Sequence, residues 1–313
     1  MNAKETKKVA IIGSGPAGMV CANQLANAGI KVTIFEELKE FGGMLAYGIP
    51  EFRIPLQIVR EKTLEAEEKG IVFHHKKVDS INKLLKENKG EFDFVVLAIG
   101  SGVGAKLGFR GEDHANVLDA LHFLLHAKIE NKNLVEKGEK VAVIGGGNSA
   151  IDAARVAVRQ GGEVTILYRR TEAEMPASKL EIELAKKEGV KFEFLHAPKE
   201  LICSVNNKTH NLICHEMILS EEDSSGRKKP IESGKHHGHE FNKIILAVGQ
   251  TQDYFWLEKE GIKTDGKIIL VDEKNKTTLN KVYACGDCVT GPKTIATATI
   301  SGIKTAKAIL ELS

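Results

Sequence analysis

Aromatic residues are scarce in this sequence, at 5% of 313 positions, and proline occurs only 7 times. There are 5 cysteines, an odd number without an even framework, which argues against a disulfide-stapled secreted fold. No apolar run reaches the roughly 18 residues that a membrane-spanning helix needs. Neither sign of charge dominates. Lys plus Arg number 44 against 42 for Asp plus Glu, a net charge of +2, so neither nucleic acid nor a membrane is expected as a partner. The opening "MNAKETKKVAIIGSGPAGMVCANQL" sets lysines before an apolar stretch as a secretory leader would, but its Gly-Ser-Gly-Pro interruption breaks the apolar core. The expected compartment is the cytoplasm.

What is present is glycine, 30 residues of it, as suits a backbone that approaches a ligand closely. The length allows about two domains. An internal repeat fills both. "KVAIIGSGPAGMVCANQLANAGIKVTIFEE" from Lys8 aligns without a gap on "KVAVIGGGNSAIDAARVAVRQGGEVTILYR" from Lys140. "FDFVVLAIG", ending at Gly100, is matched by "FNKIILAVG", ending at Gly249. Each long copy reads as an apolar strand, a tight glycine turn, a helix ending at Gly29 or Gly161, and a second strand. The pattern is a βαβ unit for dinucleotide binding, present twice. The first glycine allows the turn, and the second lets backbone N–H groups approach a pyrophosphate at the helix N-terminus.

The end of the second strand separates the copies. Glu36 in the first copy is placed to accept hydrogen bonds from a ribose 2′-hydroxyl. The aligned Tyr168 is followed by Arg169 and Arg170, two guanidiniums able to grip a 2′-phosphate. The second site is therefore expected to prefer NADPH over NADH. After Glu36, "FGGMLAYGIPEFRIP" is too rich in glycine and proline for a helix and is read as a loop laid along a flat ring. Late in the chain, "LNKVYACGDCVTG" is a strand ending at Gly286–Asp287, whose carboxylate suits polyol hydroxyls. A helix then begins near Lys293–Thr294, its positive end favouring an anionic reduced flavin. Together these features describe FAD in the first site.

The set "GSGPAG", Glu36, "GGMLAYGIPEFRIP", "GGGNSAIDAAR", "YRRTEAEMPA", "EEDSSGRKKP", "ILAVGQ" and "ACGDCVTGPKT" resembles the pyridine-nucleotide flavoproteins of the glutamate synthase small-subunit group. The "YGIPEFRIP" loop is most similar to the large subunit of NADH-dependent ferredoxin:NADP oxidoreductase and its sulfide-dehydrogenase relatives. The resemblance implies an α/β fold of two Rossmann-like domains, each three-layered on a parallel sheet, with FAD and NADPH sites facing each other. The NADPH domain (126–249) would be inserted in a split FAD domain (1–125 and 250–313). FAD would be lined by Gly13, Ser14, Gly15, Pro16, Ala17, Glu36, Gly43, Leu45, Gly48, Arg53, Ala98, Gly100, Gly286, Asp287 and Thr294. NADPH would be lined by Gly145, Gly147, Asn148, Ser149, Arg169, Arg170 and Gly249. No acid–base residue is expected, because hydride passes between cofactors.

Family members usually begin with a domain carrying two cysteine-ligated iron–sulfur clusters. These residues begin at the flavin strand, and the cysteines at 21, 203, 214, 285 and 288 offer no four-cysteine run. The expected electron-transfer partner is thus an iron–sulfur or synthase subunit. The alternatives are a self-sufficient NADPH-dependent reductase of disulfides or a small acceptor, and a non-catalytic flavoprotein that senses nucleotide. Cys285 and Cys288 bracket Gly286 and Asp287 and are read as small-residue packing, not as a redox dithiol. Cys203 and Cys214 are read as core. His74 and His75 are expected to be structural. His236, His237 and His239 in "KHHGH" are read as a solvated loop, so no metal site is expected.

Overall fold

A computed structural model describes residues 6–204, 209–222, 226–252 and 254–312. Within "EEDSSGRKKP", residues 223–225 lie outside the described residues. The chain forms two compact units. The first takes the residues up to Tyr47, Glu51–Val103, and those from Gln250 on; the second takes Gly48–Pro50 and Gly104–Gly249. The second unit therefore starts earlier than the expected boundary at 126, which falls inside a helix (Ala120–Ile129) and so cannot be a linker.

The first unit begins with β1 (Lys8–Ile12), α1 (Pro16–Asn27) and β2 (Lys31–Glu36). Gly29 ends the first helical turn-out with φ +83°, a conformation that glycine adopts without a Cβ penalty. Next come α2 (Met44–Tyr47), α3 (Leu56–Glu68), β3 (Val72–His75) and β4 (Phe94–Leu97). The turn at α2 corrects the expectation that the glycine-rich loop is free of helix: the four residues between Gly43 and Gly48 are compatible with a single turn.

The two-residue β5 (Val103–Gly104) spans the boundary to the second unit, which holds β6 (Val117–Asp119), α4 (Ala120–Ile129), β7 (Lys140–Ile144), α5 (Asn148–Arg159) and β8 (Glu163–Tyr168). It continues with α6 (Lys179–Lys187), β9 (Lys191–Phe194), β10 (His196–Ile202), β11 (His210–Glu222), β12 (Lys228–Phe241) and β13 (Lys243–Leu246). The first unit then resumes through β14 (Gln250–Thr251), α7 (Phe255–Glu258), β15 (Val282–Ala284), α8 (Asp287–Thr290) and α9 (Ile295–Leu310).

Each unit is built on a five-stranded parallel sheet. The orders are β15-β4-β1-β2-β3 and β6-β13-β7-β8-β9. These are the same order of repeat-related strands, with the outermost strand supplied last in the first unit and first in the second. Alternation along β1 sends Val9 and Ile11 to a core shared with α1 and α9, and Ala10 and Ile12 to a core shared with Leu257, Ile262 and Ile269. In the second unit Val141 and Val143 pack with α5 residues, whereas Ala142 and Ile144 pack against Leu212, Cys214 and Phe241. Those last three belong to an antiparallel sheet, β10-β11-β12.

Two expectations need correction. His236, His237 and His239 lie in β12 and not in a loop, since the long partner strand β11 carries the pairing through them. Cys203 is exposed just beyond β10, while Cys214 is buried as expected. His74 stacks on Phe35, and His75 stacks on Phe41 with its Nδ1 3.0 Å from the Leu38 carbonyl, in keeping with structural roles. Among the described residues no helix is long and apolar enough to cross a membrane.

Candidate functional site

The two glycine turns have the same construction. Gly13 follows β1 with φ +101°, and a Cβ there would stand 2.3 Å from the Ala98 carbonyl oxygen at the end of β4. Gly145 follows β7 with φ +146°, and its Cβ would stand 2.3 Å from the Ala247 carbonyl oxygen after β13. Any side chain would wedge the central strands apart, so the first glycine of each motif is fixed by the sheet itself. The second glycines differ in kind. A Cβ on Gly15 or Gly147 would meet nothing within 4 Å. These positions N-cap α1 and α5, and no side chain caps either helix. Open space above an uncapped helix N-terminus is what an entering pyrophosphate requires. Pro16 starts α1, where its missing N–H costs nothing. Asn148 and Ser149 open α5 and are exposed, and Asn148 Oδ1 accepts from Ser178 N at 3.1 Å.

The strand ends then diverge. Glu36 is buried, at 6% exposure. Its Oε2 accepts from the Ser14 hydroxyl at 2.6 Å and from Ser14 N at 3.0 Å, and its Oε1 accepts from Leu38 N at 3.0 Å. The Ser14 hydroxyl in turn accepts from Gly42 N at 2.9 Å. Gly43 follows with φ +54°, so close that a Cβ would lie 2.8 Å from Gly15 Cα. In the second unit Tyr168 replaces the carboxylate. Its ring lies against Gly146, where a Cβ would sit 2.5 Å from Tyr168 Cε2, and its hydroxyl donates to the Glu174 carbonyl at 2.9 Å.

The two arginines separate. Arg169 is exposed, whereas Arg170 is buried at 4% exposure and its Nε donates to the Lys228 carbonyl at 2.7 Å. The structure thus gives Arg170 a fastening role between β8 and β12, because its side chain turns inward one residue past the strand end.

The C-terminal part of the first unit brings Asp287 to the start of α8. Burial raises its pKa, and the Lys293 backbone N–H bonded to it lowers it in part. Its Oδ1 is buried without a hydrogen-bond partner. A buried, unpartnered carboxylate oxygen is costly alone and fits a hydroxyl-bearing ligand, as the FAD polyol would supply. The residues present therefore fit that cofactor. Gly286 has φ +80°, and a Cβ there would meet Ala17 Cβ at 2.8 Å; a Cβ on Gly302 of α9 would meet the Ala17 carbonyl oxygen at 2.3 Å. Small residues thus bring the Asp287 turn, α9 and α1 together.

The remaining expected residues are placed less tellingly. Leu45 lies in α2, Arg53 is exposed in the loop that follows, and Gly48 belongs to the second compact unit. Gly100 and Gly249 both have positive φ, +71° and +118°, with open space where a Cβ would be. Thr294 N-caps α9: its hydroxyl accepts from Thr297 N at 3.1 Å. Sequence reasoning missed Tyr254 and Ser101, whose buried hydroxyls also lack partners in the first unit. The one signal for Tyr254 was its scarcity as one of 4 tyrosines.

Cys285 and Cys288 are both fully buried free thiols. Cys288 Sγ donates to the carbonyls of Cys285 at 3.1 Å and Leu97 at 3.5 Å. Burial pushes the Cys288 thiol up to about 12 and that of Cys285 well above its ordinary value, so neither offers a thiolate.

A family model described as pyridine nucleotide-disulphide oxidoreductase matches residues 7–302. The chain is 36% identical over 311 residues to the NADP(+)-dependent formate dehydrogenase subunit beta of Moorella thermoacetica, covering 97% of this chain and 43% of that protein. It is 33% identical over 321 residues to the glutamate synthase [NADPH] small chain of Escherichia coli strain K12, covering 97% of this chain and 68% of that protein. The chain spans from under half to about two thirds of the length of these curated relatives. FprA of Mycobacterium tuberculosis, solved in complex with NADPH, shares the fold at a TM-score of 0.80 and 19% identity, over 98% of this chain and 84% of that one. The paired glycine turns, the buried Glu36 and the family match over nearly the whole length place this chain in the pyridine nucleotide-disulphide oxidoreductase family, whose members are FAD-containing oxidoreductases.

Proposed function

We propose that this chain is an FAD-dependent NAD(P)H oxidoreductase that passes hydride between NADPH and FAD and delivers electrons to an iron–sulfur or synthase partner subunit. The observation that carries the reading is the divergence of two otherwise matched turns: a buried carboxylate, Glu36, ends the second strand of one, and an exposed guanidinium, Arg169, follows that of the other. FAD, when bound, supplies the acceptor ring for a hydride and can release the electrons singly.

The chain's own residues bind and orient. The amides after Gly13 and Gly145 lie at the helix N-termini that would meet the pyrophosphates. Glu36 keeps the first turn in shape and, facing a ribose, would accept a hydrogen bond from its 2′-hydroxyl. Asp287 Oδ1 accepts from the polyol. Arg169, exposed just past the strand end where the second copy has no carboxylate, would hold a 2′-phosphate. None of these steps needs a side chain to move a proton. The buried thiols of Cys285 and Cys288 weigh against a dithiol relay, which moves the reading towards a partner protein. Two of the relatives are named as a subunit or a small chain, which supports a partner in the same way.

The test is an anaerobic titration of the flavin-loaded protein with NADPH and then NADH, followed by the visible absorbance of the flavin. The reading expects bleaching at one NADPH per flavin and a weaker response to NADH. Equal response to both nucleotides would overturn the NADPH assignment. Two NADPH per flavin would overturn the exclusion of the thiols. Affinity capture from the native source, with iron analysis of what co-purifies, tests the partner.

A further inference from the structure

The antiparallel sheet of the second unit carries a set of imidazoles that nucleotide binding does not use. Glu193 lies in β9, one residue before its end, His196 opens β10, and His239 lies in β12. One ligand atom of each lies within 4.8 Å of the other two. We propose that Glu193, His196 and His239 form a site for a divalent transition-metal ion of the zinc class.

The backbone is bent to make this set. Residues three apart on a regular strand point to opposite faces, so Glu193 and His196 should diverge. Leu195 between them is left-handed, with φ +62°, which a leucine adopts only under constraint. It is held there at both polar groups: its N–H donates to the Arg170 carbonyl at 3.2 Å, and its carbonyl accepts from Met217 N at 2.7 Å. The kink turns the chain between Glu193 and His196, and the His239 side chain of β12 reaches both.

The imidazole tautomers suit a metal. His196 Nδ1 lies 2.7 Å from the Phe194 carbonyl oxygen, which can only accept, so Nδ1 carries the proton and Nε2 keeps its lone pair. His239 Nδ1 lies 3.2 Å from Glu193 Oε2, and its Nε2 is buried without a partner. A ring N–H given to a backbone carbonyl, as His196 gives its own to Phe194, is how metal-binding histidines are ordinarily oriented. The rings of His196 and His239 are 5.1 Å apart between centroids. An ion with bonds near 2.1 Å sets tetrahedral ligand atoms about 3.4 Å apart, so modest side-chain rotation closes the set. The sequence reading passed over this set because His239 lies more than forty residues from Glu193 and His196 and was taken for part of a solvated loop.

A second cluster, His114, Cys203 and His210, is less suited. His114 Nδ1 accepts from Asn116 N at 3.1 Å, which leaves the proton on Nε2, and Cys203 is exposed.

The purified full chain, treated with chelator and dialysed against Zn²⁺, tests the proposal by elemental analysis of bound metal. One Zn²⁺ per chain is expected at micromolar free metal, with a higher thermal unfolding midpoint. His196→Ala and His239→Ala should each weaken binding about tenfold or more. Glu193→Gln, at a more exposed position, should weaken it without disturbing the fold, as judged by retained flavin absorbance. Cys203→Ser and His114→Ala should bind as the parent does. No bound Zn²⁺, or binding unchanged in both histidine variants and in Glu193→Gln, would overturn the site. Loss of binding in Cys203→Ser or His114→Ala would overturn it also, by placing the ion at the second cluster.

Discussion

The Glu36 carboxylate lies 2.6 Å from the Ser14 hydroxyl, fastening the end of β2 to the glycine turn that β1 feeds. The same hydroxyl accepts from Gly42 N, so one buried serine joins the turn, the strand end and the start of the glycine-rich loop. Ser14→Ala removes a hydrogen bond to Glu36 and leaves a buried amide without an acceptor, at a cost of about 1–3 kcal/mol. The expected result is a lower urea midpoint and a smaller flavin-to-protein ratio after gel filtration. If both match the parent, the contact contributes nothing to the turn.

Gly13 and Gly15 separate folding from binding. Gly13→Ala would drive a Cβ to 2.3 Å from a backbone oxygen, so the first sheet should not form intact and soluble yield should fall. Gly15→Ala meets open space in the protein, so thermal stability should stay near that of the parent while flavin content drops sharply. A stable Gly15→Ala that keeps its full flavin would remove the pyrophosphate from this turn.

The two arginines are expected to fail differently. Arg169→Ala should raise the Michaelis constant for NADPH by about tenfold or more and leave that for NADH unchanged, since only a charge-assisted contact to the 2′-phosphate is lost. Arg170→Ala should lower the unfolding midpoint instead, because its buried Nε no longer satisfies the Lys228 carbonyl. Gly147→Ala is the control: it should weaken both nucleotides, which share the pyrophosphate. Equal effects of Arg169→Ala on NADPH and NADH would contradict the assignment.

The repeat made the two parallel sheets legible in the sequence, since apolar strands, turn glycines and an acidic strand end are local signals. The buried state of Arg170 was not legible, because it depends on where β12 passes, and β12 is distant in sequence. His236 to His239 were misread for the same reason: a run of histidine and glycine has low strand propensity, and only pairing with β11 makes it a strand. The short helix at Met44–Tyr47 shows that flanking glycines delimit a turn of helix as readily as they prevent one.

Acid should loosen the second unit through one ion cluster. Glu188 is partly shielded from solvent, which alone would raise its pKa, but hydrogen bonds from Arg159 and Arg155 overcome this and lower it to about 2. Arg155 is buried and also pairs with Glu181 at 2.5 Å. A carboxylate depressed on folding stabilises fully above its unfolded pKa, near 4.3, and that contribution is lost as pH falls towards 2. Glu188→Gln should therefore cost about 1–3 kcal/mol at pH 6 and distinctly less at pH 3. Urea midpoints of parent and variant at the two pH values check this. A gap of the same size at both would show that the charge is not responsible.

Cys285 and Cys288 share a sequence motif with redox dithiols, but their surroundings make them inert. Both are fully buried, both are held as thiols, and Cys288 spends its S–H on backbone carbonyls. Only Cys203 among the five cysteines is exposed. A maleimide reagent should therefore add one label to the native protein, at Cys203, and five after unfolding. The double variant Cys285→Ala with Cys288→Ala should keep the rate of flavin reduction by NADPH and lose about 1 kcal/mol of stability from the two small voids. If that variant loses turnover while retaining its flavin, or if Cys285 is labelled in the native protein, the thiols take part in the chemistry, and the partner protein is no longer needed to explain where the electrons go.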